Sequence, residues 1–387
     1  MSGPRTRTLL SIGVLLTVVV SLWLLQRGSR SRRSAESSLS DPQAVAALGP
    51  GGQASGASSP ADPAAPALPV EKLPLPPCWD GLLALDEHAS LDSLRQALLT
   101  ALSSDDPLLL EYLQERLTEL IGSDAGAALR VVGWATEAGP PLSTSLLAAV
   151  KHSDAVQQPQ VASKLLGLGE DGKQSLDLRR AALEALETQR ALPQDVLGRL
   201  KNVAMDEHSD EAAWVATRTI GRVMNDEFQR SGKAGSYMKE LLDIGQHSGE
   251  AAVRSLALEM PSYGNIPIDK AALGPLASVL SRDPDRQVRE MAAFRMGLSR
   301  DPGQALPLLS SAFAGERDLC VRWAIFRFAV RAAGSKALPL LDKLSTMEPR
   351  LRPDYEDFVA IYARGTVDFA RVWLEKPERI QCLDEEP

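Results

Sequence analysis

From Cys78 onward the apolar positions recur with the period of an α-helix. The segments DLRRAALEALE, EAAWVATRTIGRV, AVRSLALEM, QVREMAAFRMGL and LCVRWAIFRFAV lead with Leu178, Ala212, Val253, Val288 and Val321. From Val321 the inward residues continue through Ala324, Ile325, Phe328 and Ala329, and from Leu178 through Ala181, Ala182, Ala185 and Leu186. Ala212 is followed in the same way by Val215, Ala216, Thr219 and Ile220, and Val253 by Leu256, Ala257 and Met260. Residues spaced like this share one helix face. The leading residues lie 34, 41, 35 and 33 apart, so the helices recur as well as the residues within them.

A second pattern alternates with the first. ALPLL stands at 305–309 and again at 337–341, with the looser ALGPL at 272–276, so Pro275, Pro307 and Pro339 are 32 residues apart both times. Proline is tolerated in the first turn of a helix, where its missing N–H has no partner to lose. The pattern therefore predicts a first helix opened by proline, a short turn containing aspartate, and a second helix that begins near Val-Arg. Asp285 and Asp318 sit three residues before Val288 and Val321, at the N-cap position. Small residues such as Ala257, Ala292 and Ala324 allow close packing.

RDPDRQVREMAAFRMGL (282–298) and ERDLCVRWAIFRFAV (316–330), with weaker copies at 177–187 and 250–260, resemble the HEAT-repeat family, including its short bacterial form. The resemblance is clear over 170–345 and looser over 78–169, where the helical runs lack the Asp…Val-Arg signature. It implies an all-α fold, an α-solenoid of stacked antiparallel helix pairs. One pair cannot bury its apolar face alone, so about seven or eight must stack. It also implies that Val253, Val288 and Val321 pack between helices, while Arg254, Arg289 and Arg322 join the aspartates of neighbouring repeats in a ladder. Arg179, after Leu178, takes the corresponding place. Ala213 and Trp214 depart from the signature, which interrupts the ladder at 211–223.

The ends differ from this body. After a short basic head (1–7), Thr8–Leu25 is an uncharged apolar run of 18 residues. As a helix it spans about 27 Å, close to the bilayer core. Trp23 lies near one end, as an interfacial indole does. QRGSRSRR comes next, where a signal peptide would have its cleavage site, so the run reads as an uncleaved single-pass anchor. Orientation has two readings. Four arginines after the run against Arg5 and Arg7 before it place the body in the cytoplasm by the positive-inside rule. A short basic head before an N-terminal anchor instead suits a signal anchor that exports the rest of the chain, and the reading leans to the exported side. Residues 26–77 are basic at first and then rich in Ala, Pro, Gly and Ser, a composition that cannot form a core. Such a linker reaches roughly 35–40 Å as a coil. The helical repeat body is expected over 78–376 and an acidic tail over 377–387.

The charge is −8, and residues 1–76 carry seven Lys/Arg against four Asp/Glu, leaving −11 for the rest. That sign disfavours nucleic acid. Three cysteines, Cys78, Cys320 and Cys382, are too few and too far apart for a zinc site. Cys320 reads as a small buried residue. Cys78 and Cys382 read either as two free thiols or as a pair in an oxidising compartment, with a solenoid's separated ends favouring the thiols.

Catalytic patterns are absent from the sequence. DEH occurs at 86–88 and 206–208, among the four histidines His88, His152, His208 and His247. Helical-repeat hydroxylases hold iron through His-Glu pairs, and no His-Glu dipeptide occurs here. GLGEDG at 167–172 matches G-x-G-x-x-G, but Gln174 stands where a P-loop needs Ser or Thr and no strand precedes it, so it reads as a glycine-rich turn. Trp79, Trp134, Trp214, Trp323 and Trp373 read as core fillers. The expectation is a membrane-tethered, non-catalytic scaffold that binds a protein partner, without cofactor or metal. The alternatives are a repeat enzyme or tetrapyrrole handler of the lyase type, and a self-associating tether.

Overall fold

The computed structural model describes residues 89–104, 106–206, 210–380 and 382. The apolar run Thr8–Leu25, the linker and Cys78 lie outside them. Among the described residues no helix is long and apolar enough to cross a membrane. They form seventeen α-helices and no strand, with one isolated bridge between Ile268 and Ser299.

The helices are α1 (Leu91–Ser104), α2 (Pro107–Ile121), α3 (Ala125–Glu137), α4 (Leu142–His152), α5 (Pro159–Glu170) and α6 (Leu176–Ala185). Next come α7 (Gln194–Ala204), α8 (Asp210–Ser231), α9 (Gly235–His247), α10 (Ala251–Tyr263), α11 (Lys270–Arg282) and α12 (Arg286–Met296). The last are α13 (Pro302–Gly315), α14 (Leu319–Ala333), α15 (Leu338–Met347), α16 (Arg352–Ala363) and α17 (Phe369–Glu375).

Each odd-numbered helix from α1 to α15 packs on the even helix that follows it. The even helices α2 to α14 also pack one on the next, and the odd helices α3 to α15 do the same. The described chain is thus a double row of helix pairs in which each pair meets its sequence neighbours. Val253, Val288 and Val321 are 0–1% exposed, at the seams between pairs. Gly169 shows how tightly the two helices of one pair meet: a Cβ there would meet the Leu183 side chain at 2.5 Å, so α5 can approach α6 only over a glycine.

Aspartates start the helices. Asp106, Asp124, Asp269, Asp285, Asp301, Asp318 and Asp368 each accept a backbone N–H of the helix they precede. Each such cap stabilises its helix by about 1 kcal/mol.

Two local readings are corrected. Only Pro339 occupies the first turn of its helix. Pro275 and Pro307 are the sixth residues of α11 and α13, which begin earlier behind the caps Asp269 and Asp301. A proline there removes one bond to the second helical residue, a modest loss so near the helix start. GLGEDG is not a turn throughout: Gly167 to Glu170 end α5, and only Asp171 and Gly172 turn.

Candidate functional site

The edge where pairs turn carries a series of arginines. Arg179, Arg254, Arg289 and Arg322 are the fourth residues of α6, α10, α12 and α14. Arg254 forms a two-bond contact with Asp283, Nε to Oδ2 at 2.8 Å and Nη2 to Oδ1 at 2.9 Å. Arg289 Nε donates to Glu316 at 2.8 Å, and Arg322 Nη1 to Glu348 at 2.9 Å. Each acid belongs to the turn of the next pair. Each arginine also donates to carbonyls of its own turn: Arg254 to Ser248 and Gly249, Arg289 to Asp283 and Pro284, and Arg322 to Glu316. The acids are therefore not Asp285 and Asp318, whose carboxylates are engaged in capping Val288 and Val321. A cap must point back into its own helix, so a second acid is needed to reach the previous pair. Among the described residues Arg179 reaches only the Gly169 carbonyl, at 2.9 Å.

Across the departure at 211–223 a different network spans the pairs. Glu187, 4% exposed, accepts Arg218 Nε at 2.6 Å, Arg222 Nη1 at 2.8 Å and Lys151 Nζ at 3.3 Å. It links α4 to α8, and no local motif announces it.

The even row carries a ligand-sized cavity. Its volume is about 830 Å³, within the range of ligand clefts. Helices α10, α12 and α14 form the floor, and residues from α17 to Cys382 form a wall. That wall is fastened at four points. Lys376 and Asp354 make an ion pair whose side chains are 2% and 0% exposed. Arg379 contacts Asp357 at 2.6 and 3.0 Å. Arg286 Nη2 donates to the Cys382 carbonyl at 2.9 Å. Finally, Cys320 and Cys382 form a disulfide with a Cα–Cα distance of 5.5 Å. Neither Cys320 as a plain buried residue nor Cys382 as a free thiol or partner of Cys78 stands. The chain end folds back over the even row, bringing Cys382 to the start of α14. The body thus continues past 376 through Cys382.

The cavity is aromatic and charged. Trp323, Trp373, Phe294 and Phe328 line it, with Arg327 between them. The Arg327 guanidinium carbon is 3.7 Å from the Trp373 ring centroid and 5.0 Å from that of Phe328. One turn on, Arg331 lies 4.7 Å from the Phe294 ring and 5.7 Å from Phe369. Among the described residues neither arginine has a hydrogen bond or ion pair, and Arg327 Nε is buried. Burial pushes both guanidinium groups below their usual range, and the charge of Arg331 adds to the effect on Arg327. Arg295, on α12, is 1% exposed, and its Nη1 and Nη2 have no hydrogen-bond partner. Burial first, and Arg331 second, bring it down to about 9.

Glu290, on the cavity floor, is raised by burial and by the nearby Asp318 against the pull of Arg286, whose Nε is 3.1 Å away. Carboxylate oxygens of Glu290 and Asp318 and the Cys320 sulfur lie within 4.8 Å of one another. This set does not fit a metal ion well, because the sulfur is tied in the disulfide and Asp318 caps α14. His152 is exposed at the end of α4, and His247 Nδ1 is 2.8 Å from Asp243 at the end of α9. Neither lines the cavity. Of the tryptophans, Trp323 is 7% exposed and shares the cavity with Trp373, whereas Trp214 is 36% exposed under Arg218.

No family model matches the chain, and no curated protein matches it. Among solved structures it is similar to human deoxyhypusine hydroxylase in complex with glycerol, at 18% identity and a TM-score of 0.28, over 66% of this chain and 99% of that one. An engineered protein is similar at 15% identity and a TM-score of 0.32, over 64% of this chain and 100% of that one. Likeness at this level carries no argument for a shared site or activity.

Proposed function

We propose that the chain is a HEAT-like α-solenoid scaffold, non-catalytic, that binds a segment of a partner protein on the even-helix row and is tethered to a membrane by Thr8–Leu25. The cavity behind the fastened chain end carries the reading. It is ligand-sized and aromatic, and its one basic side chain without a partner among the described residues is Arg327. Stacked repeats characteristically bind partners on extended surfaces. The tether rests on the apolar run alone. The disulfide supports an exported body, since such bonds persist in oxidising compartments.

The test is a photo-crosslinking side chain placed at Met291 in the full chain, on the cavity floor, and separately at Lys343, exposed on α15. A discrete protein adduct is expected from position 291 and not from 343. Adducts of equal yield at both positions, or none, overturn the proposal.

A second reading, a repeat enzyme or tetrapyrrole handler, is favoured by Glu290, a carboxyl shifted by burial inside a cavity. It requires visible absorbance or bound metal in purified protein, and activity lost in Glu290→Gln.

A further inference from the structure

The basic groups on the cavity lining divide sharply. Arg286 is held by Glu290 and the Cys382 carbonyl, Arg379 by Asp357, and Lys376 by Asp354 and the Pro377 carbonyl. Arg327 has none of these. It lies over the rings of Trp373 and Phe328, which attract a cation without satisfying its N–H groups. Arg331 doubles the positive charge one helical turn away. Two arginines half-buried against aromatic rings, with no acid beside them, are costly unless an anion joins them.

We infer that the cavity takes an extended acidic segment of a partner protein, with one aspartate or glutamate carboxylate paired to Arg327 and the flanking apolar side chains laid on Trp323, Phe328 and Met291. The inference rests on the scaffold reading. A planar guanidinium matches a carboxylate edge to edge through two parallel hydrogen bonds. The lining selects against a more highly charged anion: Glu259, Glu290 and Glu378 also face the cavity, and a phosphate group would bring nearly two negative charges toward them. A single carboxylate neutralises Arg327 and leaves those acids undisturbed. The apolar surface beside it accounts for specificity that charge alone would not give.

The test uses the full chain and short fluorescent peptides carrying one glutamate between leucines or phenylalanines, with the same peptides carrying glutamine instead. Anisotropy titration is expected to show the glutamate peptides binding about tenfold to a hundredfold tighter, the range of a charge-assisted hydrogen-bond pair. Arg327→Gln should abolish the difference, and Arg327→Lys should keep part of it, since lysine retains charge without the planar fork. The thermal midpoint of Arg327→Gln, expected no lower than that of the parent chain because a desolvated charge is removed, separates lost recognition from lost fold. Arg331→Gln, which touches the cavity only through its charge, should reduce the preference without abolishing it. Equal binding of the two peptide series overturns the acidic preference and leaves the scaffold reading in place. No binding by either series, together with no adduct at position 291, overturns both.

Discussion

Helices α10, α12 and α14 carry one set of arginines at their starts, and α12 and α14 carry a second set that behaves in the opposite way. On the turn edge, Arg254, Arg289 and Arg322 start α10, α12 and α14, and each meets an acid of the next pair as well as carbonyls of its own turn. Further along α12 and α14, Arg295, Arg327 and Arg331 have neither among the described residues. Position within the helix explains the first set. The fourth residue of α10, α12 and α14 faces the turn within its own pair, where backbone carbonyls are free and the acid of the next pair's turn is within reach. Stacking repeats this environment from α10 to α14, so the pairing repeats there too. Arg295 and Arg331 stand in the last turns of α12 and α14, where a helix end favours positive charge, but nothing in the stacking supplies a partner for them or for Arg327, which stands in the middle of α14. The second set therefore marks positions that the fold does not need, and Arg327 marks the one that opens onto a cavity.

The comparison can be broken from either side. The largest expected effect comes from releasing the chain end. The disulfide closes a loop with a sequence separation of 62. On the chain-entropy account, Cys382→Ser lowers the stability of the region from α14 onward by about 4 kcal/mol. Urea unfolding should show this, with the turn-edge pairs of α10 and α12 left intact. An unchanged midpoint would mean that the other fastenings suffice.

Next is the turn edge itself. Asp283→Ala leaves Arg254, 7% exposed, without its carboxylate and should cost about 3 kcal/mol. A shift in midpoint below that of an ordinary surface substitution would show the ladder to be ornamental. The second set predicts the opposite sign. Arg295→Met removes a desolvated charge with no partner to strand and should raise the thermal midpoint, by about 1–2 kcal/mol of stability. A lower midpoint would show that Arg295 is satisfied in solution by a group such as a buried water.

The smallest effect is a pH dependence at one rung. Glu348 is held down to about 2, chiefly by its hydrogen bonds from Arg350 and, against the cost of burial, from Arg322. A carboxyl depressed on folding contributes stability above its ordinary range, and that contribution is lost as pH falls from about 4.5 to about 2. Glu348→Gln should flatten the acid limb of the stability profile in that window. An identical slope in the variant would remove Glu348 from the ladder's acid response.

Much of the fold is legible in the order of the residues alone. The 3.6-residue period around Val288 and Val321 marks the buried faces, because an apolar residue has the same interest in burial wherever its helix docks. Asp285 and Asp318 are legible as caps, because capping is settled within four residues. The helix starts ahead of Pro275 and Pro307 are not, because the capping aspartate outweighs the proline as a start signal. The ladder's acids lie two residues from where the repeat signature puts them, for a related reason. A cap and a cross-pair partner are both aspartate or glutamate in the same turn, and only the direction of the side chain tells them apart.

The amino-acid sequence by itself determined that the described body would be helical and built of repeating pairs, since period, caps and small residues act over one or two turns. Tertiary structure alone decided that Cys382 joins Cys320, that Glu187 gathers three cations, and that Arg327, over the rings of Trp373 and Phe328, has no ion-pair partner among the described residues. The disulfide and the Trp373 contact depend on the path of the last residues back across three helices, and the Glu187 network on the stacking of α4 to α8; such long-range meetings leave no local pattern in the residues that end up together.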